Sequence, residues 1–337
     1  MSRKKPLPAL LVLVLDLLGI GVMLGVFALF QFGFQRNSSE PLQQIVSNGT
    51  PAPTETAQVA ETPATADASP ALSATPEPTA TPAPGDFSAN FPQGEPDEEG
   101  TLGNYADDNL RVVVSEQHTT DAVYYVADVW IKNIQGYKTA FNGNKFGGGY
   151  SLPSSMASKH NAILALSGDC YEARPEGIVI RNGTLYRDTI SGDVCILYSD
   201  GVMESYYEAD FKLDDAIARG AYQGWSFGPK LIDNGQVPAS YNTTDAIISH
   251  NPRAAIGYYE PGHYCLIYVD GRQGETSKGL TLNELSQIMI DLGCVDGYNL
   301  DGGQSSMMVF QGQVIGNPYK GGRDISDIIY FGGDDPT

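Results

Sequence analysis

Basic residues are scarce in this sequence. It contains 20 Lys and Arg against 40 Asp and Glu, which gives a formal net charge of −20 at pH 7. Proteins that bind nucleic acids neutralise the phosphates with many Lys and Arg side chains, so this composition argues against a nucleic-acid partner. A small substrate with one phosphate is still compatible with it, because a single local pair of arginines is enough to bind that group.

Cysteines are also few, and none of them lies in a C-x-x-C pair. The sequence therefore lacks the close spacing of a zinc site or a redox motif. It also lacks the G-x-G-x-x-G fingerprint and the Walker loop that mark common nucleotide sites. The four cysteines allow three disulfide pairings, and buried free thiols are an equally good interpretation. They are Cys170, Cys195, Cys265 and Cys294.

A long apolar run lies at the N-terminus, from Leu7 to Phe34. About 20 such residues are enough to span a membrane, and the basic residues at positions 3–5 favour a cytoplasmic N-terminus. We therefore predict that residues 1–36 form a cytoplasmic tip and an uncleaved single-pass anchor. The lipid bilayer is then a partner, and the rest of the chain is extracytoplasmic. A cleaved signal peptide is the alternative.

Residues 37–100 have the composition of a disordered linker. They are rich in Pro, Thr, Ala, Ser and Glu, and larger aliphatic residues such as Val59 and Leu72 are few. Such a segment cannot bury enough apolar surface to offset the entropy lost on ordering, so we predict an extended stalk. Residues 101–337 then form one globular domain of ordinary size.

Turn signals and short apolar runs dominate this domain. Asn182-Gly183 lies between two strand-like pairs and predicts a two-residue hairpin. The same signal recurs at Asp200-Gly201, Asn234-Gly235 and Asp270-Gly271. Five runs are typical of strands: Arg111 to Val114, Val123 to Ile131, Val194 to Tyr198, Tyr264 to Val269 and Met307 to Phe310.

Helices are fewer. Thr281 and Glu284 form a capping box at the start of an amphipathic segment, and Gly293 ends that segment. A weaker helix is predicted over Asp210 to Arg219. Together with the strands, these patterns predict an α+β fold, with a mixed, strand-rich sheet and a few flanking helices.

Four polar segments beside apolar runs are candidate sites: Ser167–Tyr171, His250–Arg253, Asp270–Arg272 and Asn299–Ser306. The first three also have structural interpretations, as a cap or turn, a strand entry with a structural histidine, and a hairpin turn. The fourth reads NLDGGQSS and places a carboxylate beside two glycines, which let a ligand come close to the backbone. A polar hinge between apolar elements is a typical position for a functional site.

At these segments the sequence resembles the phosphodiester glycosidases, a family that includes the animal uncovering enzyme and bacterial exopolysaccharide-associated proteins. The resemblance extends from about Asn161 to Phe331. It is carried, in order, by Ser226–Pro229, Asn251–Gly257, Val269–Gln273, the helix from Gly279 to Gly293, Tyr298–Ser306, and Asn317-Pro318 followed by Arg323.

The resemblance implies an enzyme that cleaves the bond between a sugar's anomeric carbon and a phosphodiester oxygen. The expected substrate is an N-acetylglucosamine-1-phosphodiester or a cell-surface glycopolymer. No cofactor is expected, although a divalent cation is compatible with the site.

Candidate roles follow from the chemistry that such a reaction needs. A carboxylate must activate water or attack the anomeric carbon, and Asp301 is the first choice for it, before Asp169. His250 is expected to shuttle a proton or to bind a phosphate oxygen. Arg253 and Arg272 are expected to hold the diester anion, because guanidinium groups match phosphate oxygens bidentately.

The other predicted substrate-binding residues surround these groups. Arg323 is a third cation for the phosphate. The side chains of Asn299, Ser305 and Ser306 are expected to hold sugar hydroxyls, and the backbone N–H groups of Gly302 and Gly303 are expected to contact the ligand. The full set of these residues is Asp270, Asn299, Gly302, Gly303, Ser305, Ser306 and Arg323.

Two other functions fit the same residues. One is a tethered protein that binds anionic polysaccharide without cleaving it. The other is a metal-dependent phosphodiesterase, in which Asp169, Asp270 and Asp301 supply oxygen ligands to Ca²⁺ or Mg²⁺. The products of the reaction distinguish a glycosidase from a phosphodiesterase.

Overall fold

The computed structural model describes residues 40–46, 85–93 and 102–335. In chain order the strands are β1 (Gln43–Gln44), β2 (Gly103–Ala106), β3 (Leu110–His118), β4 (Val123–Ile131), β5 (Lys138–Phe141), β6 (Leu164–Ser167), β7 (Val179–Arg181), β8 (Thr184–Arg187), β9 (Val194–Tyr198), β10 (Met203–Tyr206), β11 (Ala221–Trp225), β12 (Arg253–Glu260), β13 (His263–Val269), β14 (Asp296–Asn299), β15 (Met308–Phe310), β16 (Gln313–Ile315) and β17 (Asp327–Phe331). The α-helices are α1 (Pro153–Lys159), α2 (Leu213–Ala218), α3 (Asp245–Ile248) and α4 (Leu282–Asp291).

These strands form three sheets. The first has the order β1-β8-β7-β11-β9-β10, the second β14-β12-β13-β4-β3-β2, and the third β16-β15-β6-β17-β5. The prediction of an α+β, strand-rich fold is therefore confirmed. The expectation of a mixed sheet is wrong, because every pairing between these strands is antiparallel. Short hairpin connections between neighbouring strands require that direction.

A common core joins the sheets. Buried side chains from all three contribute to it, among them Trp225 of the first sheet, Leu266 of the second and Leu166 of the third. Each sheet also packs against a helix in a smaller cluster: α2 on the first, α4 on the second and α1 on the third. The site described below lies where strands of the second and third sheets end.

Local sequence signals are accurate for several elements. The capping box of α4 is present, with the Thr281 side chain accepting from the Glu284 amide. The Asn182-Gly183 turn joins β7 to β8 with positive φ at both residues. The hairpin predicted at Asp270-Gly271 is wrong, because β13 ends there and pairs with β12 and β4. A Cβ on Gly271 would lie 2.6 Å from the backbone nitrogen of Pro252.

Two short segments of the predicted stalk pack on this domain. Gln43 and Gln44 pair with β8, and Phe87 is buried in the common core. The rest of the predicted stalk, and the predicted membrane anchor over residues 1–36, lie outside the described residues. Among the helices of the three described ranges, none has both the length and the apolar character that a membrane crossing requires.

All four cysteines are buried free thiols. The Sγ atoms of Cys265 and Cys294 lie 3.5 Å apart, whereas Cys170 and Cys195 belong to other core clusters.

Candidate active site

The four predicted site segments meet where two sheets end. β12 is antiparallel to β13 and β14, so its first residue lies at the same edge as the last residues of those strands. In the third sheet, β6 is antiparallel to β15 and β17, and its end lies beside their starts. The loop Asn299–Ser306 runs from β14 towards β15 and therefore connects the two edges.

Two glycines let this loop lie against its neighbours. A Cβ on Gly302 would come within 2.6 Å of the Pro252 carbonyl oxygen. Gly303 has a φ of 65°, a left-handed conformation that favours glycine. Its N–H donates to the same oxygen at 2.9 Å. The Gly303 amide, which the sequence assigned to the ligand, is thus already bonded within the protein.

Asp301 is a buried carboxylate held by an arginine. Its side chain is 10% exposed, and Arg323 Nη2 donates to Asp301 Oδ2 at 3.0 Å. Nε of the same guanidinium donates to Ser305 Oγ at 2.5 Å. Because the Arg323 side chain is 51% exposed, its guanidinium can contact both the carboxylate and an incoming anion.

The pKa of Asp301 reflects competing influences. Burial raises this pKa above its ordinary value, while the Ser305 hydroxyl and the positive charges of Arg323 and Arg174 lower it. A carboxylate that is partly desolvated and flanked by cations is a common arrangement for an acid–base group or a nucleophile.

Arg174 is a residue of this site that sequence reasoning missed. Its charge acts on Asp301, and its Cζ lies 4.7 Å from the centroid of the Phe227 ring, a cation–π contact. Its one signal in the sequence is a position three residues after the polar segment Ser167–Tyr171. A lone arginine in a loop carries no motif, so this position alone predicts no function.

Cys170 is a thiol beside these charges. Burial raises its pKa to about 12, and the negative charges of Asp301 and Asp327 act in the same direction. The reactive form of cysteine is the thiolate. Cys170 is therefore not a nucleophile at neutral pH.

Arg272 presents a second positioned guanidinium. Its Nη2 donates to Asn251 Oδ1 at 2.7 Å, and its Cζ lies 5.5 Å from the centroid of the Tyr319 ring. A Cβ on Gly303 would be 3.3 Å from Arg272 Nη1, so the absence of that atom leaves room for the guanidinium. Asn251, Tyr319 and Gly303 together hold an exposed cation beside the Asp301 loop.

Arg253 and Asp270 have internal partners. Arg253 is 2% exposed and donates from Nε to the Leu280 carbonyl at 2.9 Å and from Nη2 to the Ser249 carbonyl at 2.6 Å. Burial, with the nearby charge of Arg272, lowers its pKa to about 10, so it is still charged at neutral pH.

Asp270 accepts from the Tyr268 hydroxyl at 2.6 Å and from the Asn317 amide at 2.9 Å.

Asp169, the second choice for the catalytic carboxylate, belongs to a buried ionic network. Arg181 Nη2 lies 2.8 Å from both Asp169 Oδ1 and Asp327 Oδ2, and the three side chains are at most 2% exposed. Burial raises the pKa of Asp327 to about 7, against the opposing charge of Arg181. The Ser226 amide also donates to Asp169, at 3.3 Å.

His250 faces a different group of side chains. Its Nε2 lies 3.5 Å from Glu284 Oε2. His250, Glu284 and Asp121 have ligand atoms within 4.8 Å of one another, and no other group of this kind occurs among the residues described. Asp121 already forms an ion pair with Lys278, whose Nζ lies 2.6 Å from Asp121 Oδ1. The metal ligands predicted from sequence, Asp169, Asp270 and Asp301, do not form such a group.

The remaining predicted contacts to sugar hydroxyls are also bonded internally. Ser306 Oγ donates to the Gly303 carbonyl at 3.0 Å, and Asn299 Nδ2 donates to the Gly228 carbonyl at 2.8 Å. Asn299 Oδ1 is buried and has no hydrogen-bond partner among the described residues. Among the side chains of Asn299, Ser305 and Ser306, it is the one buried polar atom without a hydrogen-bond partner in the described part of the chain.

Tyr150 is a further residue that sequence reasoning missed. At 48% exposure it is the one aromatic side chain among the exposed large hydrophobic residues of the described part. Its neighbour Ser151 pairs with Ile325, two residues after Arg323, so Tyr150 lies near the site. A cavity of about 460 Å³ lies elsewhere, between Phe141, Met156 and His160, and contains none of the predicted site residues.

Comparisons with known proteins bear on this geometry. The SPbeta prophage-derived uncharacterized protein YomE of Bacillus subtilis (strain 168) is 30% identical over 172 residues, which are 48% of this chain and 26% of YomE. The chain thus spans about a quarter of the length of that relative.

Two solved structures are similar. The first is the catalytic domain of zebrafish N-acetylglucosamine-1-phosphodiester alpha-N-acetylglucosaminidase, auto-inhibited by its pro-peptide. It has a TM-score of 0.52 and 19% identity, over 67% of this chain and 84% of that one, which shows a shared fold. A hypothetical protein from Synechocystis has a TM-score of 0.48 and 14% identity, over 66% and 62% of the two chains.

The region that carries the site also matches a family model. That model, described as phosphodiester glycosidase, covers residues 160–332, from the end of α1 to the end of β17. Asp301, Arg272, Arg323 and Arg174 all lie within it. The chain belongs to the phosphodiester glycosidase family.

Proposed function

We propose that this protein hydrolyses sugar-1-phosphodiesters at the bond between the anomeric carbon and the phosphate oxygen. One observation carries the proposal: a buried carboxylate, Asp301, is hydrogen-bonded at 3.0 Å to a half-exposed arginine, Arg323. Two more cations lie close by, Arg174 and Arg272. One small region therefore contains both a carboxylate that can react and cations that can bind an anionic substrate.

The reaction needs little acid catalysis. Either water attacks the anomeric carbon directly, or Asp301 attacks it first and water then hydrolyses the glycosyl ester and regenerates the carboxylate. In both routes the bond from the anomeric carbon to the phosphate oxygen breaks. The phosphate leaves with the bonding electrons as a phosphomonoester, so the protein has to stabilise negative charge more than it has to donate a proton. Arg323, Arg272 and Arg174 supply that stabilisation, and Asp301 takes the proton of water or forms the bond to carbon.

Tyr150 is the proposed contact for the sugar ring. Aromatic side chains bind apolar faces of ligands while keeping a polar edge in water, and Tyr150 is exposed beside the Arg323 segment. Asn299 Oδ1 is the proposed acceptor for a sugar hydroxyl, because it has no partner among the described residues. N-acetylglucosamine is the proposed sugar, on the strength of the family to which the chain belongs.

Asp301→Asn in the full chain tests the assignment. The amide keeps the shape and the contact with Arg323 but can neither take a proton nor attack carbon. We expect kcat on a synthetic N-acetylglucosamine-1-phosphodiester to fall by about 100-fold or more. Asp324→Asn is the matched control, an exposed aspartate one residue after Arg323, and should keep its activity. Near-normal turnover by Asp301→Asn would remove Asp301 from the reaction.

We also propose that the protein is held at a membrane with this domain outside the cytoplasm. The apolar run from Leu7 to Phe34 and the basic residues before it support this. The protein should stay with membranes after extraction at high pH, and a protease added to intact cells should remove the domain. Release at high pH, or protection from the protease, would contradict the proposal.

A further inference from the structure

Beside the proposed reaction centre, Tyr319 is shared by two cations. Arg272 Cζ lies 5.5 Å from the centroid of the Tyr319 ring, and Lys320 Nζ lies 5.2 Å from it. Arg272 also borders Gly303 of the catalytic loop. A continuous series of contacts therefore leads from that loop through Arg272 and Tyr319 to Lys320.

Neither of these cations is neutralised by a carboxylate. Within the described ranges, no Asp or Glu oxygen lies within 4.0 Å of Arg272 or Lys320. The chain has twice as many acidic as basic residues, yet Arg272 and Lys320 lie on one tyrosine ring without an acidic partner. Such a cluster attracts anions.

The backbone at Lys320 is held in an unusual conformation. Its φ is 54°, in the left-handed region that few residues other than glycine adopt. Conformations of this kind are strained and are concentrated at ligand-binding and catalytic sites. Pro318 precedes the turn, and Gly321 and Gly322 follow it, so the short segment Tyr319–Gly321 presents Lys320 to solvent.

One phosphodiester does not account for all these cations. Arg323 lies at Asp301, and Arg174 acts on the same carboxylate. Both suit the phosphate at the scissile bond. Lys320 is not among the cations whose charge acts on Asp301. A lysine suits a separate negative charge, because its ammonium acts as a point charge that needs no fixed geometry.

We infer that Tyr319 and Lys320 form a second anionic subsite, which binds the next negatively charged group of a polyanionic glycan chain. The inference rests on the proposed function and deepens it: the substrate is a repeating anionic glycan rather than a single sugar phosphate. The second charge comes from another phosphodiester or from a sugar carboxylate, and the two sources share the same attraction to Lys320.

The test uses three substrates that share one scissile N-acetylglucosamine-1-phosphodiester. The first has a neutral extension, the second a further phosphodiester and the third a uronate. For the wild-type full chain, we expect kcat/KM to be higher for the two doubly charged substrates. Lys320→Gln should reduce that preference by about threefold to fivefold at low ionic strength, and 0.5 M salt should reduce it in the wild type.

Two variants serve as controls. Lys320→Arg keeps the charge and should keep the preference. Lys212→Gln removes an exposed lysine at the start of α2, against the first sheet, and should change nothing. The inference is overturned if wild type and Lys320→Gln show the same preference, or if the wild type shows none. A larger effect on the phosphodiester or on the uronate substrate identifies the source of the charge.

Binding to the Asp301→Asn variant separates this inference from the proposed function. Calorimetry should show tighter binding of the doubly charged ligands, and Lys320→Gln in that background should remove the difference. If the wild type cleaves none of the substrates while this binding preference is present, the proposed reaction is wrong and the anionic subsite stands. If the wild type cleaves all three at equal rates and binds them equally, the reaction stands and the subsite is wrong.

Discussion

Arg253 and Arg272 have the same predicted role but very different surroundings. Arg253 is buried and donates to two main-chain carbonyls, of Leu280 and Ser249. Arg272 is exposed and makes a cation–π contact with the Tyr319 ring. Buried carbonyls that lose their donors are costly, whereas the loss of an exposed side chain usually changes stability by less than about 0.5 kcal/mol.

We therefore expect Arg253→Ala and Arg272→Ala to fail in different ways. Arg253→Ala should lower the free energy of unfolding by about 2–4 kcal/mol, measured by urea denaturation. Arg272→Ala should unfold like the wild type and raise KM for the phosphodiester. Equal losses of stability in the two variants, or an unchanged KM in Arg272→Ala, would contradict this division of roles.

At the residue scale, the sequence indicates the loop of the candidate site but not the contacts that its side chains make. The glycines and the carboxylate of Asn299–Ser306 are visible as a motif, because their spacing is local. Arg174, Tyr150 and Tyr319 are not visible, because each is a single loop residue that belongs to no motif. The sequence also cannot show that Ser306 and the Gly303 amide are already hydrogen-bonded within the protein.

At the scale of elements, β14 begins with a carboxylate that folding desolvates. Asp296 accepts from the Ser205 amide at 2.7 Å and so connects β14 to β10. Burial raises its pKa from 3.8 to about 6, although the hydrogen bonds from Ser205 and the charge of Lys230 act in the opposite direction. The folded protein therefore binds this proton more tightly than the unfolded chain does.

This raised pKa predicts a pH dependence of stability. Between about pH 4 and pH 6 the folded state holds a proton that the unfolded chain releases, so the contribution of Asp296 to stability falls as pH rises through this window. Relative to Asp296→Asn, the wild type should lose up to about 3 kcal/mol between pH 4 and pH 7. The measurement is the free energy of unfolding of both proteins across that range. A difference that does not vary with pH would contradict the prediction.

The sequence predicts those elements that have local signals, but it does not predict how the strands assemble into sheets. The capping box of α4 and the Asn182-Gly183 turn each depend on a few neighbouring residues. Sheet order depends on registers between distant strands, such as β15 with β6. No short pattern reports those registers, so the sequence predicts one mixed sheet where three antiparallel sheets occur.

At the scale of the whole molecule, Arg181 joins two sheets through a buried charge network. It lies on β7 of the first sheet and contacts Asp327 of β17 and Asp169 after β6, both in or next to the third sheet. Burial by itself would lower the pKa of Arg181, but the two carboxylates raise it above its ordinary value. Removing one partner of a buried ionic network leaves uncompensated charge.

We expect Arg181→Met to destabilise the protein by about 3–5 kcal/mol, measured by chemical denaturation. Arg219→Met is a control, because Arg219 makes its ion pairs on the surface with Glu204 and Asp200, and such pairs contribute about 0–1 kcal/mol. A cost below about 1 kcal/mol for Arg181→Met would show that the network does not hold the two sheets together.

The central claim is that the protein breaks the bond on the carbon side of the phosphate. The most direct measurement is product analysis after the wild-type protein has acted on an N-acetylglucosamine-1-phosphodiester in water enriched in ¹⁸O. The account predicts free sugar with the label at its anomeric oxygen, together with an unlabelled phosphomonoester. Sugar-1-phosphate with label in the phosphate, together with the free alcohol, would show attack at phosphorus and would contradict the account.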